Sequence, residues 1–202
     1  TSLISVGTTP VFGTGVNASP GAWDAVPGMQ LRFAAQVVSG PQQVTWSSSN
    51  AGLVTISVPG QATAVAAPGS ATLTARSVSD NTQFADVNVR LFSLTWRFPS
   101  TPTSVSTGAV SPPANPLSVQ LQAQACQSTF VFSPPFQGAR YEVLNGSTWV
   151  TIGQSSSFQV IDSGTVRCWV YPFTWTPGSA YGTGPQSLRA TMVDWFNGLG
   201  SY

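Results

Sequence analysis

Apolar and polar positions alternate along most of this chain. In Leu31-Arg-Phe-Ala-Ala-Gln-Val37, Leu31, Phe33, Ala35 and Val37 fall on one face, which is the period of a half-buried strand. From Ser118 to Ala125 the pattern repeats, with Val119, Leu121, Ala123 and Ala125 set against Gln120, Gln122 and Gln124. Long helical periodicity is missing. Short alternating runs are separated by turn signals at Pro27-Gly28, Gly40-Pro41, Pro59-Gly60, Pro68-Gly69 and Asn145-Gly146. Strands spaced this way predict an all-β protein, a sandwich or a barrel.

A chain of 202 residues accommodates two such domains of roughly 100 residues. The stretch FPSTPTSVSTGAVSPPANP, from Phe98 to Pro116, has the composition of a linker or long loop. Leu94, Trp96 and Phe98 read as a strand opening the second domain, which sets the boundary near Leu91 and gives domains over 1–91 and 92–173. Residues 174–202 then form an aromatic C-terminal extension carrying Trp175, Tyr181, Trp195, Phe196 and Tyr202. Within it, Ser187 to Val193 alternates, with Leu188, Ala190 and Met192 on one face. Two readings stand for this segment: the last strand of its own sandwich, or a strand added to a neighbouring subunit.

Charge is scarce. Only 6% of residues are charged, against about 25% in ordinary soluble domains. With 42% hydrophobic residues and seven tryptophans, the chain is too apolar to be disordered. All seven cations are arginines, scattered singly at a net charge of +1. That pattern gives no footprint for nucleic acid or an anionic membrane surface. No apolar run reaches the roughly 18–20 residues of a membrane span. The chain opens at Thr1, which fits a processed secreted protein and a recombinantly trimmed one equally.

Residues 44–75, VTWSSSNAGLVTISVPGQATAVAAPGSATLTA, resemble the bacterial immunoglobulin-like domain of group 2, and the likeness extends with flanking strands over about residues 1–91. The resemblance implies a β-sandwich in which Trp46, sharing a strand face with Val44, plugs the core. A second resemblance lies further on. Tyr141-Glu-Val-Leu-Asn-Gly-Ser-Thr-Trp149, then SSSFQV, then DSGTVRC, look like another immunoglobulin-like domain of bacterial surface proteins. Val143 and Val166 stand where that pattern has its core Trp and corner Tyr. The fold class expected is therefore all-β, two tandem immunoglobulin-like sandwiches with a C-terminal extension.

By the same resemblance, Asp162, Gly164 and Cys168 mark strand F, whose cysteine meets one on strand B. The candidate partner is Cys126, and the even cysteine count favours the bond; two free buried thiols are the alternative. Alternation places Cys168 with Val166 and Val170 on an apolar face, but gives Cys126 the parity of the glutamines. A β-bulge before Cys126, or a strand ending ahead of it, would reconcile the two.

With no histidine and no lysine, the usual proton-transfer and Schiff-base sites cannot be built. The six carboxylates, Asp24, Asp80, Asp86, Glu142, Asp162 and Asp194, are dispersed without a pairing signal. Asp80-Asn81 with Asp86 could offer oxygens to calcium, although a hairpin turn explains the first two. No enzyme activity, cofactor or metal is expected. Asn145-Gly-Ser147 fits a glycosylation acceptor and equally a type I′ hairpin.

The function expected is an extracellular or cell-surface structural subunit that associates with identical copies into a filament, sheath or layer. Expected contacts are Leu188, Met192, Trp195 and Phe196, with the N-terminal segment from Thr1 to Phe12. The alternatives are an adhesin or carbohydrate-binding module, in which Trp149, Trp169 or Trp175 stacks on sugar rings of a glycan or cell surface, and a decoration protein of phage or virus-like particles.

Overall fold

The computed structural model describes residues 11–12, 16–19, 21–37, 41–98, 104–106, 118–128, 133–178, 181 and 185–195. The chain divides into two compact units between Ser93 and Leu94.

The first unit holds β1 (Val11–Phe12), β2 (Val16–Ser19), β3 (Ala22–Ala25), β4 (Gln30–Arg32), β5 (Ala34–Val37), β6 (Val44–Ser48), β7 (Val54–Ser57), β8 (Gln61–Ala64), β9 (Gly69–Ser77) and β10 (Phe84–Leu91). The alternating run at Leu31–Val37 does not stay in one ladder. At Phe33 it changes partners, β4 pairing with β8 and β5 with β2. Phe33 N–H itself donates to Gly60 O at 2.8 Å. Gly60 has φ +100°, and a Cβ there would run into that Phe33 carbonyl, so the close approach requires glycine.

Treating β4 and β5 as one strand, the first sheet runs β2, β4/β5, β8, β7, with the two-residue β1 outside β2, and the second runs β3, β10, β9, β6, with β3 parallel to β10. In sandwich lettering these are A-B-E-D facing A′-G-F-C, the arrangement of an immunoglobulin-like domain. Between them lie Trp23, Met29, Phe33, Val54, Leu73, Val87, Val89 and Leu91, all buried. The indole that fills this core is Trp23, edge-on to Phe33 with ring centres 6.0 Å apart. Trp46, expected to be the plug, is only half-buried, its ring centre 6.0 Å from that of Phe33. Its strand β6 is the edge of the sheet, so one flank of the ring faces outward.

The second unit holds β11 (Ser93–Phe98), β12 (Ser104–Ser106), β13 (Val119–Gln127), β14 (Gly138–Asn145), β15 (Thr148–Ser155), β16 (Gln159–Asp162), β17 (Arg167–Trp175) and β18 (Pro185–Val193). One sheet runs β11, β13, β17, β16 and the other β12, β18, β14, β15. The first is again A-B-E-D. In the second, β15, β14 and β18 take the places of C′, C and F, and the short β12 lies beside F. The molecule is thus all-β, with two immunoglobulin-like sandwiches in tandem.

This order corrects two expectations. The segment DSGTVRC leads into β17, which is strand E and not strand F. Strand F is β18, so Pro185–Val193 belongs to the sandwich itself and is paired along Gly138–Val143. What read as a C-terminal extension is, over these residues, an internal strand, because the sandwich is displaced by one strand from the register that the cysteine motif suggested.

Candidate functional site

On β17 the aromatic side chains Trp169, Tyr171, Phe173 and Trp175 face the core, opposite Ala125, Ala123, Leu121 and Val119 of β13. Cys168 and Val170 therefore lie on the face of β17 turned away from these aromatics, where Val170 is nonetheless fully buried. Cys126 lies on that side of the sheet too. The two cysteines are direct partners in the β13–β17 ladder and are disulfide-bonded, with Cα atoms 4.1 Å apart. No bulge is needed. The parity conflict came from assigning the wrong face of β17, and the bond joins neighbouring strands of one sheet where the resemblance implied a link between sheets.

The inner face is organised by tyrosines. Tyr141 on β14 accepts a hydrogen bond from Ala123 N–H at 3.0 Å and donates to the Tyr171 carbonyl. Ala123 and Tyr171 are ladder partners, so a phenol from the facing sheet is inserted into one rung. Trp96 lies tilted 5.8 Å from the Tyr141 ring, and Phe173 stacks on it at 5.3 Å. Gly153 makes the stack fit, since the Phe173 ring occupies the space a Cβ would need. Burial pushes the Tyr141 hydroxyl up to about 12, partly offset by the Ala123 hydrogen bond. Burial likewise raises Tyr171, whose hydroxyl donates to Phe136 O at 3.1 Å.

The outer face of the sheet β12-β18-β14-β15 carries the unit's main polar cluster. Glu142 and Arg189 are cross-strand partners, with Nε 2.6 Å from Oε2. Arg140 Nε approaches the same carboxylate at 3.8 Å, and Glu142 is only 5% exposed. The Arg189 guanidinium lies 4.6 Å from the centre of the Trp149 ring. Two guanidiniums thus share one carboxylate beside a half-exposed indole. In the sequence Arg140, Glu142 and Arg189 stand as dispersed charges; the signal that joins them is ionised side chains in strands otherwise free of charge.

The expected site residues scatter. Trp169 and Trp175 are buried at 1% and 4% exposure, Trp175 edge-on to Tyr181 at 5.4 Å, so neither can stack on a sugar. Trp149 alone of the three reaches the surface. Leu188 and Met192 are core residues of strand F and are closed to a neighbouring subunit through their side chains. Trp195 is 50% exposed and donates its indole N–H to Pro134 O. Phe196 lies outside the described residues, as do Thr1–Pro10.

The carboxylates serve local structure. Asp24 and Arg90, ladder partners on β3 and β10, form a two-pronged pair at 2.6 and 2.7 Å. Burial raises the Asp24 carboxyl above its usual range, and Arg90 offsets this only in part. Asp80 accepts from Thr82 N–H, Thr82 Oγ1 and Gln83 Nε2, closing the β9–β10 turn, and those bonds lower its pKa. Asp86 accepts from Thr74. Asp162 is paired to Arg167 at 2.6 Å, which lowers it. Among the described residues no cluster of three or more His, Cys, Asp or Glu could hold a metal ion, and no helix is long and apolar enough to cross a membrane.

No family model matches the chain, and no curated protein does. Among solved structures it is similar to a crystal structure of Dpr2 Ig1-Ig2 in complex with DIP-Theta Ig1-Ig3, at 13% identity and a TM-score of 0.28. The match covers 90% of this chain and 64% of that one. A superposition at that level transfers neither fold nor partner, and the assignment to immunoglobulin-like sandwiches rests on strand order.

Proposed function

We propose that this protein is a non-enzymatic, extracellular structural subunit that associates with copies of itself through sheet edges. Tandem immunoglobulin-like sandwiches suit protein contact and structural roles. The observation that carries self-association is the sheet β12-β18-β14-β15, whose two outer strands, Ser104–Ser106 and Thr148–Ser155, contain no charged residue. Monomeric β proteins commonly guard such edges with charge, lysine above all, and this chain has no lysine. The Cys126–Cys168 bond fits an oxidising compartment.

Electron microscopy of the purified chain tests this reading and separates a filament or sheath from a layer or particle. Regular assemblies are expected; dispersed single molecules at high concentration would refute it.

A second reading is favoured by Trp149, the half-exposed indole beside Arg189, which could stack on a sugar ring. On a glycan array a binding module gives a specific signal that Trp149→Ala abolishes. An assembly subunit gives none.

A further inference from the structure

Three cross-strand rows lie side by side on the outer face of β18, β14 and β15. Thr191, Arg140 and Gln154 form one, Arg189, Glu142 and Thr151 the next, and Leu144 with Trp149 the third. Apart from Arg140, Glu142 and Arg189, every side chain in these rows is uncharged. Two cations therefore face one anion. Arg189 meets the Glu142 carboxylate at 2.6 Å, which is enough for a structural ion pair. Arg140 stands off at 3.8 Å, its Nε buried and without a hydrogen-bond partner among the described residues. Glu142 is buried, whereas the Arg189 side chain is 36% exposed, so the charge this face presents to solvent is positive. A guanidinium stays protonated at any ordinary pH, and one that is largely desolvated with an unused donor favours an anion beside it.

We infer that this face binds acidic glycans, with the carboxylate of a uronic acid residue held by Arg189 and Arg140 and its ring on the part of Trp149 that Arg189 leaves exposed. The inference rests on the sugar reading of Trp149 above and names the class of sugar. The planar fork of a guanidinium matches a carboxylate better than it matches a hydroxyl, and a charge-assisted bond is about twice as strong as a neutral one. The indole supplies a flat apolar surface within reach of that charge, since the Arg189 guanidinium lies 4.6 Å from its ring centre. Thr151 and Gln154, both exposed in the same rows, offer a hydroxyl and an amide to the sugar hydroxyls. Glu142, beneath the arginines, orients them without meeting the ligand.

Titration calorimetry of the full chain tests this, with oligosaccharides of α- and β-linked hexuronic acids, each beside its carboxyl-reduced neutral counterpart. At least one acid form is expected to bind at least about tenfold more tightly than its counterpart, an advantage that shrinks as salt is added. Arg189→Lys keeps a cation beside Glu142 and loses the fork, so it should remove most of the preference. Arg140→Gln leaves the Glu142–Arg189 pair whole and should reduce it too, which keeps the test open if Arg189→Lys does not fold. Trp149→Ala should weaken acid and neutral forms alike. Equal binding of the two forms overturns the inference and leaves the sugar reading standing. A preference that survives both arginine variants overturns it as well, since the carboxylate then sits elsewhere. Binding of none of these sugars overturns it, and an empty glycan array in addition ends the sugar reading.

Discussion

The hydroxyl of Tyr141 donates to the main-chain carbonyl of Tyr171 on the opposite sheet, while accepting the N–H of that carbonyl's ladder partner, Ala123. One oxygen thus ties the two sheets of the second sandwich through a backbone rung. Tyr141→Phe leaves a buried N–H and carbonyl without their bridge, and should cost about 1–3 kcal/mol. Denaturant unfolding followed by tryptophan fluorescence measures it.

The same hydroxyl makes the second sandwich sensitive to alkali. An unfolded tyrosine titrates near its ordinary value of 10.0, whereas folded Tyr141 is held to about 12. Between those values the unfolded chain has lost a proton that the folded one keeps. Stability from this group is therefore complete below pH 10 and is lost as pH rises through 12. Tyr171, also raised, acts in the same direction. Thermal unfolding across that range should show a falling midpoint, and Tyr141→Phe should flatten the fall.

Gly153 is predicted to resist any side chain. The ring of Phe173 occupies its missing Cβ position, so Gly153→Ala must push that ring off Tyr141. A loss of about 1–3 kcal/mol is expected from such overpacking. Equilibrium unfolding supplies the number. Gly146→Ala, with open space around its Cβ position but φ +62°, separates backbone strain from steric conflict.

Reduction should weaken the second sandwich selectively. The Cys126–Cys168 bond spans 42 residues of sequence, for which the chain-entropy model gives about 3–4 kcal/mol. Differential scanning calorimetry of Cys126→Ser/Cys168→Ser should show one transition moved down and the other unmoved. Peptide mapping without reductant should recover the two cysteines joined.

Much of the fold was legible where one face of a strand was polar. Gln120, Gln122 and Gln124 fixed the inward set Val119, Leu121, Ala123 and Ala125, all of which are buried. Asn145-Gly146 marked the β14–β15 hairpin, and Asp80-Asn81 the β9–β10 turn. Legibility failed at β17, because Cys168–Phe173 is apolar on both faces and alternation cannot choose between them. Grouping Cys168 with Val166 and Val170 then selects the wrong face, while the spacing of Asp162, Gly164 and Cys168 displaces the strand lettering by one. That displacement made Leu188 and Met192 appear as surplus residues available to a neighbour when they are core. Trp169 and Trp175, expected as sugar platforms, are core because they lie on the inner face of β17. The Glu142–Arg189 cluster was hidden differently, since its members are 47 residues apart and meet only once β14 and β18 pair.

The central claim is that copies of this chain associate. The most direct test is molar mass by light scattering across a wide concentration series, under oxidising conditions that preserve the disulfide. Mass rising with concentration in multiples of the 21.1 kDa chain is the predicted result. A mass that stays at one chain throughout would contradict it.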